Sequence, residues 1–396
     1  MTYLSSLFIS MKHHSKYLIL ITLLFLLAFS VDAQIKKESS FAKMVGHVFK
    51  PALIEATDEN ISKLKLPKGF SVAPFAKDLN QPRIIKISNN GTVYVTRRED
   101  HDLIMLKDTN NDGKADEQKQ IWQKEQLHGI DIDGDKMYLI TVNDVYVADI
   151  KNDGTITEPR VILKDFPGGG QHANRTLGVG PDGKLYISVG STCNACEETN
   201  DENATMVVAN TDGTNRKIFA SGLRNTIGFD WHPETKDFYG MDHGIDWLGD
   251  ETQKEELNKI QEGKKYGWPY VFADGKFNPQ DEPSDMTYEE YAKSSVEPVL
   301  LYDAHSAPME MLFYEGNMFP KEYKNDAFIA LHGSWNRKDP TGYKVVRVTF
   351  EDNKPARFKD FLSGFLVNDN KGQFGRVVGL AEHPDGSLFV TDDANG

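Results

Sequence analysis

One short phrase recurs along this chain: a turn containing Gly, Asn or Asp, then an alternating strand pattern with an aromatic residue at its centre. The copies lie about 45–60 residues apart, with one interval near 90, as expected for repeats that each form one supersecondary unit. Short strands repeated at this period are typical of β-propellers, in which each copy is one strand of a four-stranded blade. The central aromatics of the six copies are Tyr94, Tyr138, Tyr186, Tyr239, Phe328 and Phe389. The sequence therefore predicts an all-β fold, a six-bladed β-propeller with four-stranded antiparallel blades; a β-sandwich with coincidental turns is the alternative.

The long interval contains two polar segments, residues 251–263 and 279–294, which are rich in Glu, Lys and Gln. We interpret them as a short helix and a long loop inserted within blades. The chain ends at Gly396, just after the sixth repeat strand, whereas a propeller closes its ring by completing the last blade. Either a strand from the N-terminal arm completes that blade, or the last blade is truncated.

The first 33 residues have the pattern of a secretory signal peptide. Lys12 and Lys16 precede an apolar run over residues 17–29, and Val31-Asp32-Ala33 has the small-x-small form of a cleavage site. The run of about 13 residues is shorter than the roughly 20 that span a bilayer. We expect cleavage after Ala33, an arm over residues 34–63 and a propeller over residues 64–396, in a periplasmic or secreted protein without a membrane span. An uncleaved anchor helix is the alternative.

The formal net charge is −14, with acidic residues spread along the chain. Binding a phosphate backbone needs a basic patch, so the charge argues against nucleic acid as a partner. The only two cysteines, Cys193 and Cys196, form a Cys-Asn-Ala-Cys sequence. A second pair to complete a zinc site is missing, and Glu197 stands where haem attachment needs His. In an oxidising compartment we expect a local disulfide that stiffens the loop.

Residues 168–175 form the first candidate site loop. Its three glycines permit positive φ and let the backbone approach a ligand closely. His172 follows them, and histidine is the side chain whose pKa suits proton abstraction near neutral pH. Taken by itself, the loop is equally compatible with a functional histidine and with an ordinary structural one.

Residues 242–251 are crowded with carboxylates, Asp246, Asp250 and Glu251 among them. Such a set repels itself unless it is solvated or bound to a cation, and oxygen ligands suit Ca²⁺. A second stretch, residues 108–116, matches the first part of an EF-hand loop, but Lys119 stands where the bidentate Glu belongs. That stretch is equally well explained as a plain turn, and a solvated acidic loop remains an alternative for the first.

Three arginines stand near predicted loop ends: Arg224, followed by Asn225; Arg337, in the segment 332–337; and Arg376, before the sixth repeat strand. A guanidinium binds a carboxylate or oxyanion with two donors. Three cations at one mouth of an acidic protein predict a polyanionic ligand.

Taken in order, these segments resemble the soluble glucose/sorbosone dehydrogenases, which use pyrroloquinoline quinone (PQQ). The resemblance covers roughly residues 64–396. It is carried by residues 67–70, 168–175, 222–225, 242–251, 256–258, 266–269, 332–337 and 384–393. That family is a six-bladed propeller that binds PQQ and Ca²⁺ at the channel mouth, and it oxidises the C1 hydroxyl of a sugar, with an external electron acceptor.

The resemblance also implies residue roles. His172 falls at the general base, Arg224 beside the reactive quinone oxygen, and Asn225 at a PQQ contact. Gly244 and Ile245 fall where backbone carbonyls hold the active-site Ca²⁺, and Asp246 adjoins them. The residues that fall at PQQ carboxylates are Arg376 and Arg337, and those near a second, structural calcium site are Asp250, Glu251 and Tyr266.

Two departures bear on the substrate. Gln171 stands where glucose-oxidising members place an acid, and the Cys193/Cys196 loop resembles the sorbosone branch. We therefore expect an aldose or a related aldehyde, without naming it. The rival functions are a calcium-dependent lactone hydrolase and a non-catalytic propeller that binds glycans or proteins. The hydrolase requires a metal deep in the channel, and the binding protein predicts that His172, Arg224 and Arg376 do not converge.

Overall fold

Regular structure is almost entirely β-strand in residues 46–279 and 281–396, the part of the chain that the computed structural model describes. The helices among these residues are α1 (Asp58–Ile61), α2 (Tyr288–Ser294) and a 3₁₀ turn at Lys321–Tyr323. None has the length and apolar character that crossing a bilayer requires. The chain divides into the units Met1–Lys43 and Met44–Gly396, and all described residues belong to the second. The predicted signal peptide lies outside the described residues.

Five sheets have four antiparallel strands each, and every pairing within them except β16 with β19 joins strands that are consecutive in sequence. The first two sheets contain β2 (Pro82–Ile87), β3 (Val93–Arg97), β4 (Asp102–Lys107) and β5 (Glu117–Gln123), then β6 (Gly129–Asp133), β7 (Lys136–Ile140), β8 (Val145–Asp149) and β9 (Arg160–Leu163). The third contains β10 (Thr176–Val179), β11 (Lys184–Val189), β12 (Thr205–Asn210) and β13 (Lys217–Ser221). The fourth contains β14 (Gly228–Trp231), β15 (Phe238–Asp242), β16 (Glu255–Lys259) and β19 (Leu300–Tyr302). The fifth contains β20 (Pro308–Phe313), β21 (Ala327–Leu331), β22 (Lys344–Glu351) and β23 (Lys354–Leu362).

Three smaller sheets complete the strands. β26 (Val377–Glu382) pairs with β27 (Leu388–Asp392), and a hairpin of β17 (Val271–Phe272) and β18 (Lys276–Phe277) is inserted between β16 and β19. β1 (Ala52–Leu53) pairs in parallel with β25 (Gly372–Gln373), which also pairs with β24 (Leu366–Val367). Within the described arm residues, 46–63, the only strand therefore extends this small sheet and does not pair with β27.

All six strands predicted from the repeat are present, and each is the second strand of its sheet: β3, β7, β11, β15, β21 and β27. Five of the six central aromatics are buried, and each of these lies on a strand with a neighbour on both sides. Phe389 is only half-buried, since β27 is the outermost strand of its sheet in the described residues.

Neighbouring sheets are joined, in chain order, by hydrogen bonds from residues in or next to their first two strands. Side chains of one sheet bond to backbone groups of the next, and the last sheet bonds to the first. The pairs are Thr96 with His128, His128 with Arg175, Thr176 with Ile227, Asp230 with Phe313, Glu310 with Leu380, and Thr391 with Arg83. This arrangement of antiparallel four-stranded sheets is consistent with a β-propeller.

The prediction of a helix in residues 251–263 is wrong: this segment contains strand β16. The polar residues of this segment suggest a solvent-exposed helix. In the structure Glu255 and Glu256 are buried and accept hydrogen bonds from backbone N–H groups. The inserted helix is α2, in the second polar segment, where Thr287 and Glu290 form a capping box.

Candidate active site

The candidate site lies at one end of the strands, which we call the mouth. In each antiparallel pair the start of the first strand lies opposite the end of the second, as Pro82 does with Arg97. Loops that precede first strands and loops that follow second strands therefore meet at this end. The loops are residues 98–101, 167–175, 190–204, 222–227, 243–254, 332–343 and 393–396, together with residues just before β26.

The loop of His172 rests on the loop that follows β11. The backbone N–H groups of Gln171 and His172 donate to the carbonyls of Thr192 and Ser191. A Cβ on Gly170 would lie 2.5 Å from Thr192 Cα, so that glycine is needed for contact between two backbones. The glycines are predicted to let the backbone approach a ligand closely. At Gly170 the close approach is instead to the backbone of a second loop.

His172 is held by a relay of hydrogen bonds. Its Nδ1 lies 2.8 Å from Ser191 Oγ, and that hydroxyl donates to the Cys193 carbonyl at 2.7 Å. A hydroxyl has one proton, so Ser191 Oγ accepts from His172 and Nδ1 carries the proton. Nε2 is left with a free lone pair, and no described residue bonds to it. Burial and the charges of Arg224 and His243 lower the pKa of His172 to about 2, which keeps the ring neutral.

Arg224 is buried and lies beside Asp246. Its Nε and Nη2 donate to the backbone and side-chain oxygens of Asn194, both at 2.9 Å, and Nη2 also lies 3.2 Å from Asp246 Oδ2. Nη1 has no partner among the described residues. Asn225 Oδ1 is also buried without a partner, and a Cβ on Gly190 would lie 3.0 Å from it and 2.6 Å from His172 Cβ. The predicted pair Arg224–Asn225 therefore lies beside the predicted base.

Three successive backbone N–H groups are held from one side in the loop after β15. Those of Gly244, Ile245 and Asp246 donate to side-chain oxygens. A trans peptide points its carbonyl opposite to its N–H, so the preceding carbonyls are turned away from these acceptors. No described residue donates to the carbonyls of Gly244 and Ile245. The acceptors are Glu255 Oε2 at 2.8 Å, Gln253 Oε1 at 3.2 Å and Asn194 Oδ1 at 2.8 Å.

The side chains predicted as further calcium ligands are engaged separately. Asp246 accepts from Asn336 as well as Arg224, Asp250 bonds to His47, and Glu251 pairs with Arg337. Tyr266 is buried, and its hydroxyl donates to the Lys259 carbonyl at 2.6 Å. Within the described residues no cluster of three His or carboxylate ligands forms. The one group of three metal-ligating residue types is Cys193, Cys196 and Glu198, whose two sulfurs are joined in a disulfide.

The three predicted arginines have different surroundings. Arg376 donates to the carbonyls of His332 and Gly333, at 3.1 and 2.8 Å. Arg337 bonds through all three guanidinium nitrogens, to the Asp250 carbonyl and Glu251 in the 250–251 loop and to the carbonyls of Ala304 and Asp339. Arg337 therefore stabilises the loop, whereas Arg224 and Arg376 retain free donors.

Sequence reasoning missed several charged residues of the mouth. Arg83 pairs with Asp393, which also accepts from His332 at 2.8 Å. Burial opposes ionisation of Asp393, but these two partners outweigh it and hold its pKa below the usual value. Arg98 is exposed and unpaired among the described residues; its charge, with burial and Arg83, contributes to lowering the pKa of His128 to about 3. A signal existed: Arg83, His128, Arg175, Arg224 and Arg376 all stand within four residues of the start of a first strand.

These groups form one electrostatically connected set. Burial, together with the charges of Arg224 and His332, lowers the pKa of His243 to about 3. His332 in turn couples to Arg376. The mouth is therefore lined by arginines and neutral histidines, although the chain carries a net negative charge.

A different group lies on the first strands, away from the mouth. Lys86 Nζ is 2.9 Å from Glu310 Oε1 and 3.9 Å from Asp131 Oδ1. Glu310, Asp131 and Asp230 also each accept a backbone N–H from a neighbouring sheet. The Lys86 ammonium offsets one negative charge among these three acids, and burial raises the pKa of each of them. The EF-hand-like residues 108–116 form a turn in which Asp108 and Asp116 accept backbone N–H groups.

Comparison with known proteins gives a consistent result. Residues 64–396 match the TrAA12-like family. An uncharacterized protein of Borreliella burgdorferi is 33% identical over 375 residues, which are 90% of this chain and 95% of that protein. A pyrroloquinoline quinone-dependent pyranose dehydrogenase of Coprinopsis cinerea is 26% identical over 403 residues, 84% of this chain. The aligned region is 54% of that enzyme, so the chain spans about half of its length.

Solved structures show the same fold. The holo form of the PQQ domain of the Coprinopsis cinerea pyranose dehydrogenase superposes with a TM-score of 0.72 at 23% identity, covering 84% of this chain and 95% of that domain. The calcium structure of the Trichoderma reesei family AA12 enzyme gives a TM-score of 0.71 at 20% identity, covering 90% of this chain and 98% of the enzyme.

Proposed function

The chain belongs to the TrAA12-like family, and from that membership we propose that it is a PQQ- and calcium-dependent dehydrogenase of an aldose or related aldehyde. The observation that carries the proposal is the meeting of three groups at the mouth. These are the free lone pair of His172 Nε2, the unpaired Nη1 of Arg224 and the buried, unpartnered Oδ1 of Asn225. A buried polar atom without a partner indicates a missing ligand or water.

The proposed scaffold is a six-bladed propeller. Six second strands carry the repeat, and the bonds between neighbouring sheets run in chain order and return from Thr391 to Arg83. In a propeller these first strands surround the central channel, so the groups on the mouth loops would face one ligand.

The residues present fit PQQ, a planar quinone with three carboxylates. Arg224, Asn225 and Arg376 would hold it, because a guanidinium binds carboxylates and an amide orients them. Arg98 and Arg83 add positive charge near the same site. Arg337 would act indirectly, by fixing the 250–251 loop, since each of its guanidinium nitrogens already bonds to the protein.

Calcium would be held by the carbonyls of Gly244 and Ile245. Ca²⁺ accepts backbone carbonyls in irregular arrangements, and no residue that the structure describes donates to these two carbonyls. Asp246 would contribute negative charge near the ion without binding it directly, since both of its carboxylate oxygens already have partners. A structural calcium near Asp250, Glu251 and Tyr266 finds less support, because these side chains bond elsewhere.

In the proposed reaction His172 acts as general base. A neutral imidazole protonated on Nδ1 has Nε2 available to accept the proton of the sugar C1 hydroxyl. Ser191 fixes the tautomer, and Arg224 contributes a positive charge beside the base. PQQ, when bound, supplies the oxidant, and an external acceptor must then remove the electrons. The product would be a lactone or acid.

The proposed setting is periplasmic or secreted, after cleavage at Ala33. The substrate class follows from the pyranose dehydrogenase among the relatives, and Gln171 argues against assuming glucose. The hydrolase alternative needs a metal deep in the channel, where the Lys86 ammonium already occupies the position beside Glu310 and Asp131. The binding-protein alternative is disfavoured by the packing of His172 and of Asn225, the neighbour of Arg224, against the same residue, Gly190.

The test titrates the purified protein with PQQ and Ca²⁺ and follows dye reduction with a panel of pyranoses and aldehydes. We expect reduction only with PQQ and sugar together, loss on addition of a calcium chelator and recovery with Ca²⁺. Absence of PQQ binding, or of sugar-dependent reduction, would overturn the proposal. Turnover of lactones without PQQ would favour the hydrolase.

A further inference from the structure

The Cys193–Cys196 ring contacts both halves of the mouth through two adjacent residues. The backbone carbonyl of Cys193 accepts a hydrogen bond from the hydroxyl of Ser191, and that hydroxyl fixes His172. Asn194, the next residue, bonds to Arg224 and to the loop that carries Gly244 and Ile245. We propose that this disulfide ring, through Asn194 and the Cys193 carbonyl, positions the base and the cofactor-binding groups relative to each other. The inference rests on the proposed function and deepens it.

Asn194 makes five hydrogen bonds. Its backbone carbonyl accepts from Arg224 Nε at 2.9 Å and from Trp268 Nε1 at 3.2 Å. Its Oδ1 accepts from Arg224 Nη2 at 2.9 Å and from the Asp246 N–H at 2.8 Å, and its Nδ2 donates to the Asp246 carbonyl at 3.1 Å. Both acceptor sites of the amide oxygen are thus occupied. A surface loop that only connects strands has no need of so many bonds to other loops.

These bonds determine the position of two groups. With Nε and Nη2 held, the planar guanidinium of Arg224 cannot rotate, and Nη1 keeps a fixed direction. With the Asp246 N–H held, the peptide between residues 245 and 246 cannot flip, so the Ile245 carbonyl keeps its orientation. Asn194 therefore positions an anion donor and a proposed cation ligand together.

The disulfide gives this residue its rigidity. Joining the two cysteines closes a ring over Asn194 and Ala195, which restricts the backbone at those positions. Cys193 and Ala195 also pack on the buried Ile245 and Trp268. Without the bond we expect the ring to sample more conformations, which disturbs the Cys193 carbonyl and hence the relay to His172.

The experiment compares Asn194→Ala and the double variant Cys193→Ala/Cys196→Ala with Glu197→Ala, an exposed position next to the ring. In cofactor-free protein, ¹⁵N NMR of labelled histidines reports the His172 tautomer, and hydrogen exchange reports protection of the Asp246 amide. We expect Asn194→Ala to speed exchange at Asp246 at least 10-fold while the tautomer stays Nδ1–H. We expect the double variant to populate the Nε2–H tautomer.

In the loaded enzyme we expect Asn194→Ala to lower kcat about 10- to 100-fold with the sugar KM within threefold, since misplaced groups affect chemistry more than binding. Asn194→Asp keeps an acceptor for Arg224 and Asp246, so it should recover part of kcat. A purely structural role would lower the melting temperature and leave kcat per PQQ-loaded site unchanged.

The outcomes separate the two proposals. Unchanged exchange at Asp246 in Asn194→Ala, or an unchanged His172 tautomer in the double variant, would overturn the positioning role. Should the wild type neither bind PQQ nor oxidise sugars, the proposed function fails, and the two cofactor-free measurements still decide the role of the ring. Should the double variant not fold, Asn194→Ala and Asn194→Asp carry the test.

Discussion

The hydroxyl oxygen of Ser191 lies 2.8 Å from Nδ1 of His172, and the hydroxyl donates a hydrogen bond to the Cys193 carbonyl. This pair fixes the histidine tautomer without a carboxylate, because an oxygen that has donated its one proton can only accept from the ring. A serine orienter adds no negative charge, so the pKa of His172 stays low instead of being raised by an ion pair. The base is therefore neutral, with Nε2 free.

Replacing Ser191 with Ala should lower kcat/KM about 10- to 100-fold, less than the loss of the base itself. The physical reason is that Nδ1 loses its acceptor and the imidazole becomes free to change tautomer. Steady-state kinetics with saturating PQQ measures the effect. Ser306→Ala is the matched control, because it also removes a buried hydroxyl bonded to a carbonyl but touches no site histidine. Equal losses in both variants would contradict the relay.

Replacing His172 with Gln should lower kcat about 10²- to 10⁴-fold and leave PQQ affinity within threefold, because the proton acceptor is lost and the cofactor contacts remain. In the wild type the lowered pKa of His172 keeps the ring neutral as pH falls below 6.5. The acid limb of kcat/KM should therefore be absent between pH 6.5 and about 4. An acid limb centred near pH 6.5 would contradict a buried, neutral base.

Two adjacent glycines offer a matched pair. Gly169 and Gly170 both have positive φ, 84° and 81°, so Ala at either position costs about 1 kcal/mol in backbone strain. Only at Gly170 would the new Cβ collide with Thr192, since Gly169 has no atom within 4 Å. We expect Gly170→Ala to lower kcat/KM about 10- to 100-fold by displacing His172, and Gly169→Ala to stay within twofold. Indistinguishable kinetics would mean that contact between the loops does not position the base.

Arg376 and Arg337 should behave differently when each is changed to Gln. Loss of Arg376 should weaken PQQ binding about 10- to 100-fold, the value of a charge-assisted hydrogen bond to a carboxylate. Loss of Arg337 should leave PQQ affinity within threefold and lower the melting temperature, because it leaves the 250–251 loop unsupported. Fluorescence titration with PQQ and thermal unfolding distinguish the two. Weaker PQQ binding in the Arg337 variant, with unchanged PQQ binding in the Arg376 variant, would place Arg337 at the cofactor.

His128 should make the fold sensitive to acid. Burial lowers its folded-state pKa to about 3, below the unfolded value near 6.5, so between these values only the unfolded chain binds the proton. The contribution of His128 to stability is complete above pH 6.5 and falls with decreasing pH by up to about 1.4 kcal/mol per unit. His128→Gln, which cannot titrate, should reduce the slope of denaturant-derived stability between pH 6.5 and 4 by about that amount, while the other buried histidines keep theirs. His101→Asn, at an exposed position, is the control and should not.

The repeat was readable because alternation of apolar residues and turn residues is local: it predicted β3, β7, β11, β15, β21 and β27, each at its place. The wrong prediction of a helix at β16 also has a physical cause. Glu255 and Glu256 look solvent-facing in sequence, yet buried backbone donors satisfy them. Local polarity cannot reveal a partner from another part of the chain.

For the site, the sequence by itself determined which residue types stand at the mouth: a histidine after a glycine run, Arg224 with Asn225, and the loop of Gly244 and Ile245. Only the tertiary structure decided what each can do. It leaves Arg224 Nη1 free but occupies Arg337, turns the Ile245 carbonyl away from Asn194, and gives His172 its proton on Nδ1. These properties depend on hydrogen bonds between residues 19 to 87 positions apart, which no local pattern encodes.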